Sequence, residues 1–175
     1  VKPDNYVVST ENYYRNKQQL DIALRGVYAI LAETFAYGNT MLGRMGLEAD
    51  EGFMHFPTDN GTMGYYVVNT TDDKIINHWR ALYRGISRAN LLLKNIDNPE
   101  IVIEDSERNS IKGQTLFLRG YYFFMLVSRF GGVPLVLDPP VSSEGEYTQL
   151  PRSAVKEVYK QVLSDMEQAA DLVEN

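Results

Sequence analysis

Residues 113–134 read Gly-Gln-Thr-Leu-Phe-Leu-Arg-Gly-Tyr-Tyr-Phe-Phe-Met-Leu-Val-Ser-Arg-Phe-Gly-Gly-Val-Pro. From Leu116 to Val127 this stretch is apolar on nearly every side, which is typical of a helix that other helices surround. Its uncharged run is bracketed by Arg119 and Arg129, and is much shorter than the roughly 20 residues that a membrane span needs. The stretch therefore predicts a central helix buried among other helices.

The end of this central helix is also encoded in the sequence. Gly131 and Gly132 can adopt the left-handed conformation that closes a helix, and Pro134 prevents the helix from continuing. A cap on Asp105 or Ser106 is expected to open it. Proline-rich sequence from Val133 to Leu150 then favours an irregular, extended crossing.

Apolar periodicity predicts three further helices, and capping signals give their bounds. They are a first helix of about 25 residues from Ser9 or Thr10 to Gly38, a second opened by residues 70–73 and closed near Asp97, and a fourth capped by Ser153. The side chains predicted to be buried are Leu118, Tyr122, Leu126, Trp79, Ile86, Val158 and Val162. We expect residues 1–175 to form a single all-α domain, a tetratricopeptide-like bundle or solenoid of about four long helices.

Composition limits the function. The chain has 175 residues, of which 44% are hydrophobic, and a net charge of -6. This charge argues against a nucleic-acid binder, which needs a basic face to neutralise phosphates. The absence of cysteine excludes disulfides, thiolate catalysis and thiolate metal sites from these residues.

Catalytic and metal-binding motifs are not recognisable. The only histidines, His55 and His78, are not at a ligand spacing. The loop acids Glu48, Asp50 and Glu51 could supply carboxylates for calcium or for a hydrolase, but they match no calcium loop and have no evident partner base. We therefore expect no metal, no cofactor and no enzymatic activity.

Four arginines lead to two separate predictions, one for the three on the second helix and one for Arg119. Arg80, Arg84 and Arg88 stand at i, i+4 and i+8 and form a basic ridge on the second helix. They could face a carboxylated ligand or a partner protein, although pairing with acids of the last helix is favoured over both. Arg119 lies inside the most apolar helix, so it needs a buried carboxylate partner, for which residues 48–51 are candidates.

The central stretch resembles the signature of the SusD/RagB family of Bacteroidetes surface nutrient-binding lipoproteins. The matching pattern is Gly-Gln-Thr-x-x-Leu-Arg-Gly-x-Tyr-Phe-x-x-Leu-Val-x-x-Phe-Gly-Gly-Val-Pro-Leu-Val. Two more segments resemble this family in the right order: Trp79-Arg-Ala-Leu-Tyr83 through Asn90, and Pro151-Arg-Ser-Ala-Val with the helix that follows. The resemblance covers the whole chain but only the N-terminal, tetratricopeptide-like part of such proteins.

The resemblance implies a function. It implies a receptor subunit on the cell surface that binds a glycan or a peptide and passes it to a TonB-dependent, SusC-like outer-membrane transporter. It also implies a lipid anchor on a cysteine upstream of Val1, with further sequence beyond Asn175. The alternative is a generic tetratricopeptide-like adaptor that binds a protein segment.

A long loop between the first two helices, from Gly38 to Thr71, is the predicted ligand site. It is rich in glycine and aromatic residues, includes one short expected strand at 65–68, and could present aromatic rings and amides to a sugar. The candidate ligand-binding residues are Phe53, His55, Asn60, Tyr65 and Tyr66. The opposing interpretation is that the aromatics fold back to seal the helix ends. Arg119, Trp79 and Asn90 are predicted to be structural.

Overall fold

The computed structural model describes residues 13–38, 71–139 and 150–173. Within these ranges the fold is all-α, with four helices and no strand, as the sequence predicts. The helices are α1 (Lys17–Tyr28, continued by a 3-10 turn Ala29–Ala32), α2 (Asp73–Ile96), α3 (Asp105–Phe130) and α4 (Val155–Val173). The predicted loop between the first two helices, with its expected strand, lies mainly outside the described residues.

The first helix is shorter than predicted. The side chain of Asn16 accepts a hydrogen bond from the Gln19 amide at 3.0 Å and caps α1, so the expected start at Ser9 or Thr10 is wrong. Apolar periodicity begins only at the buried Leu20, one turn after this cap. The predicted stop at Gly38 is also wrong, because the helix gives way to the short 3-10 turn well before it.

The bounds of α2 agree with the sequence. The Asp72 carboxylate caps its first turn by accepting from the Lys74 amide at 2.8 Å, and the helix ends just before Asp97.

The starts of α3 and α4 differ from prediction by one residue. Asp105 is the first residue of α3, and its negative charge is stabilised there by the helix dipole. The cap position belongs to Glu104. In α4 the carbonyl of Ala154 accepts the first helical hydrogen bond, from Val158 at 3.1 Å, while Glu157 bonds back to the Ala154 amide. Ser153 is therefore not the cap.

Successive helices run antiparallel. Asp97 at the end of α2 pairs with Lys112 near the start of α3, whereas Trp79 near the start of α2 meets Phe130 at the end of α3. Helices α1 and α3 run parallel, because Lys17 contacts Glu107 and the Val27 carbonyl accepts from the Tyr122 hydroxyl. Two antiparallel pairs with parallel first members are the tetratricopeptide-like arrangement that was predicted.

The core lies around α3. Of the seven side chains predicted to be buried, six have relative exposures of 4% or less, and only Trp79 is partly exposed. The Tyr122 ring packs directly over Gly85, where an added Cβ would lie 2.6 Å from a ring carbon. Gly131 has a φ of 68° and ends α3, as its sequence position predicts.

The outer face of α3 departs from expectation. Phe117 is 48% exposed and Phe124 is 40% exposed, so within the described residues α3 is not covered on every side. None of the helices described is both long and apolar enough to cross a bilayer.

Candidate functional site

An open groove of about 650 Å³ runs along α2, where the chain leaving α3 crosses that helix. We call it the α2 groove. Helix α2 contributes Trp79, Arg80, Tyr83, Arg84, Ile86 and Ser87. The segment that joins α3 to α4, residues 131–154, which we call the crossing segment, contributes Pro134, Val136, Leu150 and Arg152.

The floor of the α2 groove is an aromatic pair. Trp79 and Tyr83 are one helical turn apart, with ring centroids separated by 5.0 Å. The ring of Phe130 meets Trp79 edge-on, also at 5.0 Å, and fixes the indole from the α3 side. The guanidinium of Arg152 lies 5.6 Å from the centroid of the Trp79 ring, within the range of a cation–π contact.

The crossing segment forms the other wall of the α2 groove, and hydrogen bonds to its backbone carbonyls hold it in place. The Tyr83 hydroxyl donates to the Pro134 carbonyl at 2.7 Å, and the Asn90 amide donates to the Val136 carbonyl at 2.8 Å. Burial raises the pKa of the Tyr83 phenol, so that its hydroxyl remains protonated and able to donate. Arg152 donates to the carbonyls on both sides of Gly131 at 2.9 and 2.8 Å. These contacts within the chain fix the position of the crossing segment beside α2.

A buried ion pair is connected to this wall through Asn90. Arg119 donates from Nε and Nη2 to both carboxylate oxygens of Asp165, at 2.8 and 2.7 Å, and from Nη1 to Asn90 at 3.0 Å. Asp165 is fully buried and also accepts from Gln161 at 2.8 Å. The predicted carboxylate partner therefore exists but comes from α4, and the candidate acids at 48–51 lie outside the described residues. Through Asn90 the pair connects α4 and α3 to the crossing segment.

The three arginines of α2 do not pair with α4, so that prediction is wrong. Arg84 forms an ion pair with Glu33, and Arg88 donates to the Gly26 carbonyl at 2.7 Å. Both contacts lie on the α1 side, because α4 packs against a different face of α3. Arg80 is exposed at the α2 groove and has no hydrogen-bond or ion-pair partner among the residues described.

His78 is buried behind the groove. Its Nδ1 lies 2.6 Å from the Phe35 carbonyl, so that nitrogen carries the proton and donates. Burial lowers the pKa of His78, and the field of Arg129 acts in the same direction. Its Nε2 has no hydrogen-bond partner in the described part of the chain, where no three His, Asp or Glu side chains converge on a metal-sized site.

The ligand residues predicted from sequence, Phe53, His55, Asn60, Tyr65 and Tyr66, all lie outside the described residues. The loop acids Glu48 and Asp50 do so as well. The α2 groove was not predicted, although the spacing of Trp79 with Tyr83 and of Arg80 with Arg84 was a signal for a shared face. What the sequence did not reveal is that the crossing segment lies beside this face.

Comparison with known proteins gives consistent matches. A SusD-like family model, described as "Starch-binding associating with outer membrane", matches residues 1–175. Among curated relatives, SusD-like protein P25 of Formosa agariphila is 24% identical over 177 residues, covering 93% of this chain and 32% of that protein. SusD-like protein P38 of the same organism is 26% identical over 171 residues, covering 97% of this chain and 32% of that protein.

Solved structures share the fold. A SusD superfamily protein from Bacteroides thetaiotaomicron superposes with a TM-score of 0.77 at 25% identity, covering 90% of this chain and 37% of the other. A laminarin-binding SusD-like protein gives a TM-score of 0.79 at 24% identity, covering 91% of this chain and 34% of the other. The chain thus spans about a third of the length of the proteins it matches.

Proposed function

The chain belongs to the SusD-like family, and on that premise we propose that it is the N-terminal helical part of a cell-surface receptor that captures glycans. The observation that carries the proposal is the Trp79–Tyr83 pair on the floor of an open groove whose wall is held by hydrogen bonds. Sugars present apolar ring faces that pack on aromatic rings, and hydroxyl edges that need hydrogen-bonding partners. The side chains of Ser87 and Arg80 supply such partners in the same groove.

Binding without chemical conversion is the activity we propose. Among the described residues that line the α2 groove, the titratable groups are three arginines and one tyrosine. Arginine stays protonated in proteins, and burial keeps Tyr83 protonated as well, so neither exchanges a proton readily near neutral pH. These side chains are therefore better suited to hold a ligand than to act as a general acid or base.

A receptor of this kind needs a partner that takes up the ligand. We propose a TonB-dependent, SusC-like transporter as that partner, with attachment to the outer membrane through a lipid on an upstream cysteine. The support is the family description, which associates these proteins with the outer membrane. Affinity purification of the full-length protein from detergent-solubilised outer membranes should recover the transporter, and its absence would count against this partnership.

The outer face of α3 and α4 supports a longer protein. Phe117, Phe124 and Leu163 are 48%, 40% and 58% exposed, so three large apolar side chains are uncovered on these two helices. We propose that further sequence covers this face in the whole receptor. Expressed alone, residues 1–175 should then bind a hydrophobic dye and self-associate, whereas a dye-silent monomer would argue that the segment is complete.

Glycan capture can be tested by calorimetric titration of the full-length protein with a panel of neutral and acidic polysaccharides. The variant Ser87→Trp places a large ring in the α2 groove without removing a core contact. It should abolish binding of any glycan that the parent binds. Gln18→Trp is the matched control, because Gln18 is exposed on α1 and does not line the groove. Equal binding by parent and Ser87→Trp, with equal melting temperatures, would place the site elsewhere.

A further inference from the structure

The charge of the α2 groove is opposite to that of the chain. The sequence carries a net charge of -6, yet Arg80, Arg84 and Arg152 line the groove, and no Asp or Glu is among the described residues lining it. Among the residues that the structure describes, the one carboxylate in contact with these arginines is Glu33, which pairs with Arg84. In the described part of the groove, three guanidinium groups therefore face one carboxylate, and this part carries a net positive charge.

The three guanidinium groups are not equally available. Arg152 is engaged by two backbone carbonyls and lies over the Trp79 ring, so it contributes a fixed positive field. The Arg84 side chain is 50% exposed and shares its charge with Glu33. Arg80 is exposed and has no partner among the described residues, so its planar fork is free to bind a ligand.

An arginine beside an aromatic surface suits an acidic sugar. Guanidinium donors match the geometry of a carboxylate and bind it with two parallel hydrogen bonds. The Trp79–Tyr83 pair provides a surface for the apolar face of the same sugar ring. A neutral glycan would use the aromatic pair but would leave the positive charge of the groove uncompensated.

We infer that the α2 groove selects glycans that carry carboxylates, of the uronic acid type, over neutral glycans. Arg80 binds the carboxylate directly, and Arg84 and Arg152 supply a positive field around it. This inference rests on the proposed function, because it specifies the ligand class of the same groove.

The test compares each acidic oligosaccharide with its own methyl ester, which keeps the sugar and removes the charge. Oligogalacturonate and oligomannuronate, their methyl esters and neutral glucans are titrated into the full-length protein at low salt. We expect an acidic member to bind up to about fivefold more tightly than its ester, the size of one solvent-exposed charge pair. The preference should shrink as salt is added.

Variants then locate the preference. Arg80→Met should bring acid and ester to near parity, and Arg80→Lys should retain part of the difference, because it keeps the charge and loses the fork. Arg25→Met is the control, because it removes the same charge from an exposed position of α1 that does not line the groove. It should leave the preference intact.

The outcomes separate the two proposals. Tight binding of neutral glucans or esters, with no advantage for the acids, would overturn the inference and leave glycan capture standing. A preference for acids that survives in Arg80→Met would also overturn it. A protein that binds no member of the panel would contradict the proposed function itself.

Discussion

Replacing Asp165 with Asn is the sharpest test of how this fold is held together. The substitution keeps the shape of a fully buried side chain and removes its charge. Arg119 then keeps its own charge in a site where its side chain is only 11% exposed, and its remaining side-chain acceptors are two neutral amide oxygens, that of Asn90 and that of the substituted side chain. The NH2 group of the new amide also replaces one accepting oxygen, so it faces other N–H donors, either those of the guanidinium or that of Gln161.

The expected cost follows from this geometry. Removing one partner of a buried, hydrogen-bonded ion pair typically destabilises a protein by about 3–5 kcal/mol. Replacing both partners with apolar residues of similar volume removes the stranded charge, so Arg119→Met combined with Asp165→Leu should recover most of that loss. The exposed pair of Arg84 with Glu33 is the control, and Glu33→Gln should cost no more than about 1 kcal/mol.

Urea denaturation followed by circular dichroism measures these differences. At a slope of roughly 2 kcal/mol per M, Asp165→Asn should lower the midpoint by about 1.5–2.5 M without changing the slope. The double variant should lie close to the parent. A loss below about 1 kcal/mol in Asp165→Asn, or a double variant as unstable as the single one, would refute the view that the buried, unpaired charge of Arg119 causes the loss of stability.

Three further predictions concern the core. Leu126→Ala should cost about 2–5 kcal/mol in urea denaturation, because Leu126 is fully buried, and an unchanged midpoint would contradict its place in the core. Gly85→Ala should lower stability by about 1–3 kcal/mol, because its methyl group would displace the hydrogen-bonded Tyr122 ring, and a melting temperature equal to the parent's would contradict that packing. Stability should fall as pH drops from about 7 to 5.5, because the unfolded chain protonates histidine near 6.5 while burial lowers the pKa of His78 in the folded state. His78→Gln should flatten that slope, and an identical slope in the variant would exclude His78 as its source.

The helices could be predicted from sequence because local signals agree with packing. Gly131 and Pro134 mark the end of α3, and Asp72 marks the start of α2. The start of α1 was misplaced because several polar residues before Leu20 are acceptable caps. Only Leu20, the first buried residue within the helix, distinguishes Asn16 from them.

Partner choice was harder to predict than burial. An arginine inside an apolar helix has to be paired, so the contact of Arg119 was foreseeable, but the identity of Asp165 depends on the register between α3 and α4. That register is set by close packing at Gly120, where an added Cβ would lie 3.1 Å from the Asp165 side chain. Likewise, the α2 groove depends on hydrogen bonds from Tyr83 and Asn90 to the crossing segment, which connect residues about 50 positions apart.

Glycan capture in the α2 groove can be observed on a single ring, because Trp79 is the only tryptophan among these 175 residues. The measurement is the emission of Trp79 in the full-length protein during titration with a glycan that binds, taken as the difference from Trp79→Phe. We predict a saturable change in emission whose half-saturation equals the calorimetric Kd, since a bound sugar would alter the surroundings of the indole. A calorimetric titration that saturates while the Trp79 emission stays constant would show that the glycan binds outside the α2 groove.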